Sequence, residues 1–284
     1  MSLGVLNNIS AIYAQNNLSA TQNSLSKTLQ QLSSGSRINS GADDAAGLAV
    51  ADGLAANVTA LSQSTRNASD ATGLLQTADG ALSQVSTLLN RAVTLATQAA
   101  NGTLSASQVS SANQEYQNIL TQVANIGSTT NFNGTSVFSA TARNFFVSDG
   151  TTSGSSTYSD TVGTLTASSV GTTSGGGGVD FSATSVATLS ASSAVSVLTA
   201  LTNAIGDVAF QRGSIGADIN QLSSASSVAA SEETNLTSAE DSIRATDYGQ
   251  AASNLSKFQV LSQTGISALA QANSVQQEVT KLLQ

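Results

Sequence analysis

Arg37, Asp43 and Asp44 are the first residues of this 284-residue chain whose types and spacing invite chemistry. Two adjacent carboxylates beside a guanidinium suit general acid–base work or a cation site. No third carboxylate lies nearby and no cleft is implied, which leaves two plainer readings. One is helix capping with a solvated ion pair, worth little; the other is an electrostatic contact between subunits at a hinge. A second group is Arg91, Leu95 and Gln98, spaced four and three apart on one helical face, with Glu115 expected on a facing helix. As a pattern it reads as an ordinary exposed surface. Cys, His, Pro and Trp are all absent. That excludes zinc and haem ligation, a thiol nucleophile, a Ser-His-Asp triad and any disulfide. No G-x-S-x-G elbow or phosphate loop supports a hydrolase working through a Ser or an Asp pair. No catalytic residue, metal or cofactor is expected.

The elements that position these groups are helical. Charged residues make up 9% of the chain and aromatics 4%, against 40% hydrophobic residues, mostly Ala, Leu and Val. Without proline, long helices run unbroken. Steps of seven from Leu54 give Leu61, Ala68, Leu75, Leu82, Leu89 and Ala96, and three residues after the later members lie Ala71, Ala78, Val85, Ala92 and Ala99. This is a coiled-coil seam of about six heptads, and it predicts a helix over about 44–100. An earlier helix carries Leu18, Leu25, Leu29 and Leu32 and ends at Ser33-Ser34-Gly35, where glycine suits a C-terminal cap. Ser40-Gly41-Ala42-Asp43 reads as the capping box of the long helix. A third helix runs from about Ala106 to Ile126.

Between about 128 and 190 the pattern changes. Asn133-Gly134 and Asp149-Gly150 are turn dipeptides, and Val137-Phe138 with Phe145-Phe146-Val147 suggest short strands. The Ser/Thr/Gly-rich stretch beyond, with Gly175 to Gly178, is expected to bury little apolar area, and deletion of about 150–180 to be tolerated. Helical spacing resumes near Ala187 with Val195, Leu198, Leu201, Ile205, Val208, Ile215, Ile219 and Leu222. A last helix carries Leu255, Phe258, Leu261, Ile266, Leu269, Val275, Val279 and Leu282. The fold class is therefore mainly α: a long antiparallel helical coiled-coil bundle formed by the N- and C-terminal segments, with a small β-containing, irregular central insert.

Nine basic and 17 acidic residues give a net charge of −8, which argues against nucleic acid or an anionic membrane as partner. The first residues lack the cationic flank and long apolar run of a Sec signal. No stretch approaches the roughly 18 apolar residues of a membrane span. Export, if it occurs, needs another route. Both end helices are amphipathic and poor in charge. They either pair with each other or pack against copies of themselves, and a heterologous contact of the second kind closes a ring or grows a filament.

Several segments resemble bacterial flagellins. The run from Leu32 to Ala49, with Ser34-Gly35-Ser36-Arg37-Ile38-Asn39-Ser40-Gly41 inside it, is similar to their N-terminal signature. Gln76-Thr77-Ala78-Asp79-Gly80 and Gln98-Ala99-Ala100-Asn101-Gly102-Thr103 match as well. The C-terminal likeness lies in Ser242-Ile243-Arg244-Ala245-Thr246-Asp247-Tyr248, Leu269-Ala270-Gln271-Ala272-Asn273 and Val279-Thr280-Lys281-Leu282-Leu283. The resemblance implies inner-tube helices over 1–40 and 241–284, helical rod segments over 41–138 and 195–240, and a variable surface insert over 139–194. It further implies a secreted, extracellular homopolymer of the bacterial flagellum, exported unfolded through the flagellum's own channel. Its implied partners are filament cap and hook-junction proteins and an export chaperone that wraps the stripe from Leu255 to Leu282. Toll-like receptor 5 of a host is expected on the face of Arg91, Leu95, Gln98 and Glu115, where Asn90 and Thr94 depart from the motif.

Overall fold

The computed structural model describes the backbone of residues 8–149, 157–171 and 178–282; side chains of 276 and 278–282 lie outside the described residues. Five helices carry the chain: α1 (Ile9–Ser34), α2 (Ala45–Ala100), α3 (Ala106–Thr129), α4 (Ala194–Arg244) and α5 (Tyr248–Leu282). Four short strands lie between α3 and α4: β1 (Asn131–Phe132), β2 (Thr135–Ser136), β3 (Arg143–Phe146) and β4 (Thr157–Asp160). The chain divides into two compact units. Unit 1 comprises Met1–Ala56 and Thr234–Gln284; unit 2 is Asn57–Glu233.

Unit 2 is built on the seam of α2. Every seam residue from Leu61 to Ala99 is at most 2% exposed, and each fully buried Leu is worth roughly 1.5–3 kcal/mol. A third line at the same period, Leu74, Ala81, Leu88 and Leu95, flanks the seam and widens the covered face. From α3, Tyr116, Ile119, Leu120 and Val123 close on it. A reciprocal capping box starts α3: Ser105 Oγ accepts from Gln108 N, and the Gln108 amide oxygen accepts from Ser105 N. From α4 come Val197, Leu201, Ala204, Val208, Ile215 and Leu222. The expected onset near Ala187 is too early: α4 begins at Ala194, and Val195, at 66% exposure, lies off the buried line.

The hairpin turn is as read. Asn133 (φ 48°) and Gly134 (φ 78°) form a two-residue connection between β1 and β2, the geometry whose twist matches paired strands. Val137 and Phe138, expected in a strand, are core residues just past β2. β3 pairs antiparallel with β4, Arg143 opposite Asp160. The expectation that the central stretch buries little is corrected. Val162, Leu165, Val170, Phe181, Val186 and Leu189 are at most 7% exposed and continuous with the helical core. Deleting 150–180 would remove three of them, Val162, Leu165 and Val170. Gly150 and Gly175 to Gly177 lie outside the described residues.

A further correction concerns hydropathy. α2 and α4 are each long and apolar enough, by length and composition, to cross a membrane. Alanine supplies much of that apolarity, and a core helix passes the same test.

Candidate assembly face of the terminal helix pair

Unit 1 is organised by α1 lying along α5. Asn8 donates its side-chain amide to the Ala272 carbonyl at 2.9 Å, and Thr246 Oγ1 donates to the Gln31 carbonyl at 3.4 Å, so the two helices run antiparallel. The seam mixes small residues with a few large ones. On α1 the partly covered line is Ala11, Ala14, Leu18, Thr21, Leu25 and Thr28. On α5 it passes through Ala251, Leu255, Phe258, Ser262, Gly265, Leu269 and Ala272. A Cβ built on Gly265 would stand 3.2 Å from Leu18 Cδ1, so the backbones meet closely there. Beside this point lies a shallow cleft of about 280 Å³ between Ala14, Leu18 and Leu261.

Other large apolar residues lie outside the seam. Ile9, Ile12, Tyr13 and Leu29 on α1, with Val260, Leu261, Ile266 and Val275 on α5, are 41–67% exposed. Leu255, Phe258 and Leu269 are half-buried against α1. The single predicted stripe is thus split between two faces. Val279 and Leu282 continue the backbone of α5, and their side chains lie outside the described residues. Charge is scarce on this surface. The one charged residue of α1, Lys27, is held by Asp43 at 2.7 Å, and Lys257 sits 5.9 Å above the Phe258 ring.

The connections between helices explain the first charged group. Gly35, at φ 71°, caps α1 and donates to the Gln31 carbonyl. Ser36 and Ala245 then form an antiparallel bridge, with Arg37 N donating to the Arg244 carbonyl at 2.7 Å and Thr246 N to that of Gly35 at 3.1 Å. Arg37 does not pair with the aspartates; its guanidinium donates to the Ile243 carbonyl at 2.7 Å. Asp43 Oδ2 accepts from Asn39 N, Ser40 N and Ser40 Oγ. Lys27 and these donors hold its carboxyl down at about 2. The capping box read at Ser40 is displaced. Ser40 and Asp43 close the turn before α2, and Asp44 is the cap, accepting from Gly47 N at 2.9 Å. Lys27, sixteen residues before Asp43, was missed because nothing local in the sequence links it.

In unit 2, Arg91 forms a bidentate pair with Glu115 at 2.7 and 3.1 Å, joining α2 to α3, and the guanidinium lowers the Glu115 carboxyl. Gln98 is exposed. Leu95 is 3% exposed and belongs to the core, so it leaves the surface face on which its spacing had placed it. The flanking repeat shared with Leu74 was the signal that could have shown this. A second missed pair, Arg212 with Asp79 at 2.7 Å, joins α4 to α2. Among the described residues no group of three Asp or Glu could hold a metal ion.

Helices of this order and spacing match known proteins. Residues 5–143 match the family described as bacterial flagellin N-terminal helical region, and residues 198–283 match the bacterial flagellin C-terminal helical region. The chain belongs to the bacterial flagellins. It is 40% identical to Flagellin 1 of Proteus mirabilis over 144 residues, covering 51% of this flagellin and 40% of that one. It is 43% identical to the flagellin of Salmonella dublin over 129 residues, covering 45% and 26%. The chain thus spans two fifths or less of the length of these relatives. A crystal structure of Bacillus cereus flagellin aligns with 62% of this chain and 94% of its own, at 29% identity and a TM-score of 0.46. Flagellins are structural proteins rather than enzymes.

Proposed function

We propose that this flagellin is a structural subunit that self-assembles through α1 and α5 into the extracellular filament of the bacterial flagellum, the organelle of motility. The observation that carries the reading is the terminal pair: its own seam leaves Ile9, Ile12, Tyr13, Leu29, Val260, Leu261, Ile266 and Val275 exposed on a surface with little charge. Such a surface is covered when further copies pack on it. On this reading the segments 1–40 and 241–284 form the inner tube, and the long helices α2 and α4 the shell around it. A neighbouring subunit would then meet Arg37, Asp43 and Asp44 as groups already bonded within the chain.

The test is seeded growth. Purified chain is added to short, sheared filament fragments and followed by electron microscopy. Elongation in proportion to the chain supplied is expected. Seeds that stop after a thin layer would instead indicate a hook-junction protein, and seeds that never grow would remove the reading altogether.

The partners follow from the same reading. An export chaperone takes the apolar side chains from Leu255 to Leu282 before assembly, and filament cap and hook-junction proteins meet the ends of the polymer. A host Toll-like receptor 5 would meet the surface of Arg91, Glu115 and Gln98. Pull-down of the chaperone by the full chain but not by one ending before Leu255 tests the first. Loss of receptor signalling in Arg91→Ala tests the last.

A further inference from the structure

Polar side chains from the helices of unit 2 reach for the backbone of the stretch between β4 and α4. Gln211 of α4, 5% exposed, donates its amide to the Val162 carbonyl. Tyr116 of α3, with no exposed surface, donates its hydroxyl to the Val186 carbonyl at 2.7 Å. Its neighbour Gln117 donates to the carbonyl of Ala187, and Asn113 Oδ1 accepts from Leu189 N at 2.7 Å. Without these backbone partners Gln211 and Tyr116 would be buried polar groups with nothing to bond, a condition native cores avoid.

Two glycines point the same way. Gly127 lies inside α3, where glycine costs helical stability relative to alanine. A Cβ there would overlap the Leu165 carbonyl oxygen, so the bare backbone is needed for the central stretch to seat. Gly171, at φ 75°, passes so close to α4 that a Cβ would come within 2.6 Å of Asp207 Cβ. Gly206 and Gly213, elsewhere on α4, have open space at the same position. Of the glycines of α3 and α4, Gly127 alone lacks room for a Cβ, and it lies where the central stretch docks.

We propose that the stretches 157–171 and 178–193 form a clasp that closes unit 2, and that α2, α3 and α4 acquire their fixed packing only when it has docked. Ser/Thr/Gly-rich composition here marks a closely fitted strap rather than a removable surface layer. Because the clasp lies after α2 and α3 in the chain and is gripped by α4, a chain that has delivered only its first half keeps the α2 seam open. The inference concerns folding of unit 2 and stands whether or not the chain polymerises.

Hydrogen exchange of the full-length monomer, read by mass spectrometry, tests it. Tyr116→Phe removes one hydrogen bond and keeps the ring. One bond of ordinary strength corresponds to about a fivefold change in an equilibrium constant. The expected result is that exchange of 178–193 and of the buried turns of α3 and α4 accelerates together, by about that factor. Acceleration confined to 178–193, or none anywhere, would overturn the proposal. Gly127→Ala is the harsher variant: despite a better helix former, its melting temperature is expected to fall, while Gly206→Ala, with open space around it, shows no fall. A Gly127→Ala protein as stable as Gly206→Ala would also overturn it. Should Gly127→Ala not fold, Tyr116→Phe decides alone.

Discussion

Replacing Ile12 and Ile266 with alanine tests the assembly face quantitatively. Both are about half exposed in the terminal pair, 51% and 50%, so about half of each side chain's burial remains to be gained from a neighbour. Ile→Ala removes three carbon groups, and at about 0.8 kcal/mol per buried group that is about 2.4 kcal/mol for complete burial. Half of this, about 1.2 kcal/mol, is what one substitution takes from each subunit added to a filament. Since 1.4 kcal/mol is tenfold in an equilibrium constant, the critical concentration should rise about sevenfold for either variant. For the pair the factor is about fifty, because the sites lie on different helices and add. The assay is the concentration of chain left unsedimented after seeded growth reaches a plateau. Circular dichroism of the monomer must stay as in the parent, since neither residue lies on the seam. A plateau within twofold of the parent for the double variant, with normal filaments, would refute the assembly argument.

Three further outcomes are expected. Leu89→Ala, at a fully buried seam position of α2, should cost unit 2 about 2–5 kcal/mol in denaturant unfolding. Gly35→Ala should cost about 1 kcal/mol or more, because the cap requires φ 71° and the new Cβ meets the Tyr248 hydroxyl at 2.8 Å; faster exchange of the Thr246 amide reports it. Two carboxyls should titrate in opposite senses. Asp43 is held at about 2 against an ordinary 3.8, so its stabilisation is complete above 3.8 and is lost as pH falls through about 2. Asp160 is raised, first by burial and then by Asp218; its part of the fold is firmest below 3.8 and weakens as pH rises through its own value. Carbon-13 titration of the two carboxyls in the monomer checks both signs.

Periodic features were legible in the sequence. The α2 seam, the Gly35 cap and the Asn133-Gly134 turn each rest on a local rule, seven-residue spacing or positive φ, that later contacts did not override. Packing without a period was not legible. Val162, Leu165, Val170, Phe181, Val186 and Leu189 reach the core from turns, at spacings that match neither helix nor strand. Charge pairs failed for a related reason. Asp43 meets Lys27 and Asp79 meets Arg212 only because the fold brings distant segments together. Arg37, adjacent to the aspartates in sequence, finds a carbonyl instead. Leu95 has polar neighbours in sequence, yet it belongs to the repeat that begins at Leu74 and is buried with it.

The bridge between Ser36 and Ala245 has a mechanical consequence. The strand leaving α1 and the strand entering α5 are stitched to each other by Arg37 N, Thr246 N and the Ser36 hydroxyl. Neither can swivel without tearing bonds from the other. Twisting one terminal helix about its axis therefore strains bonds held by the other.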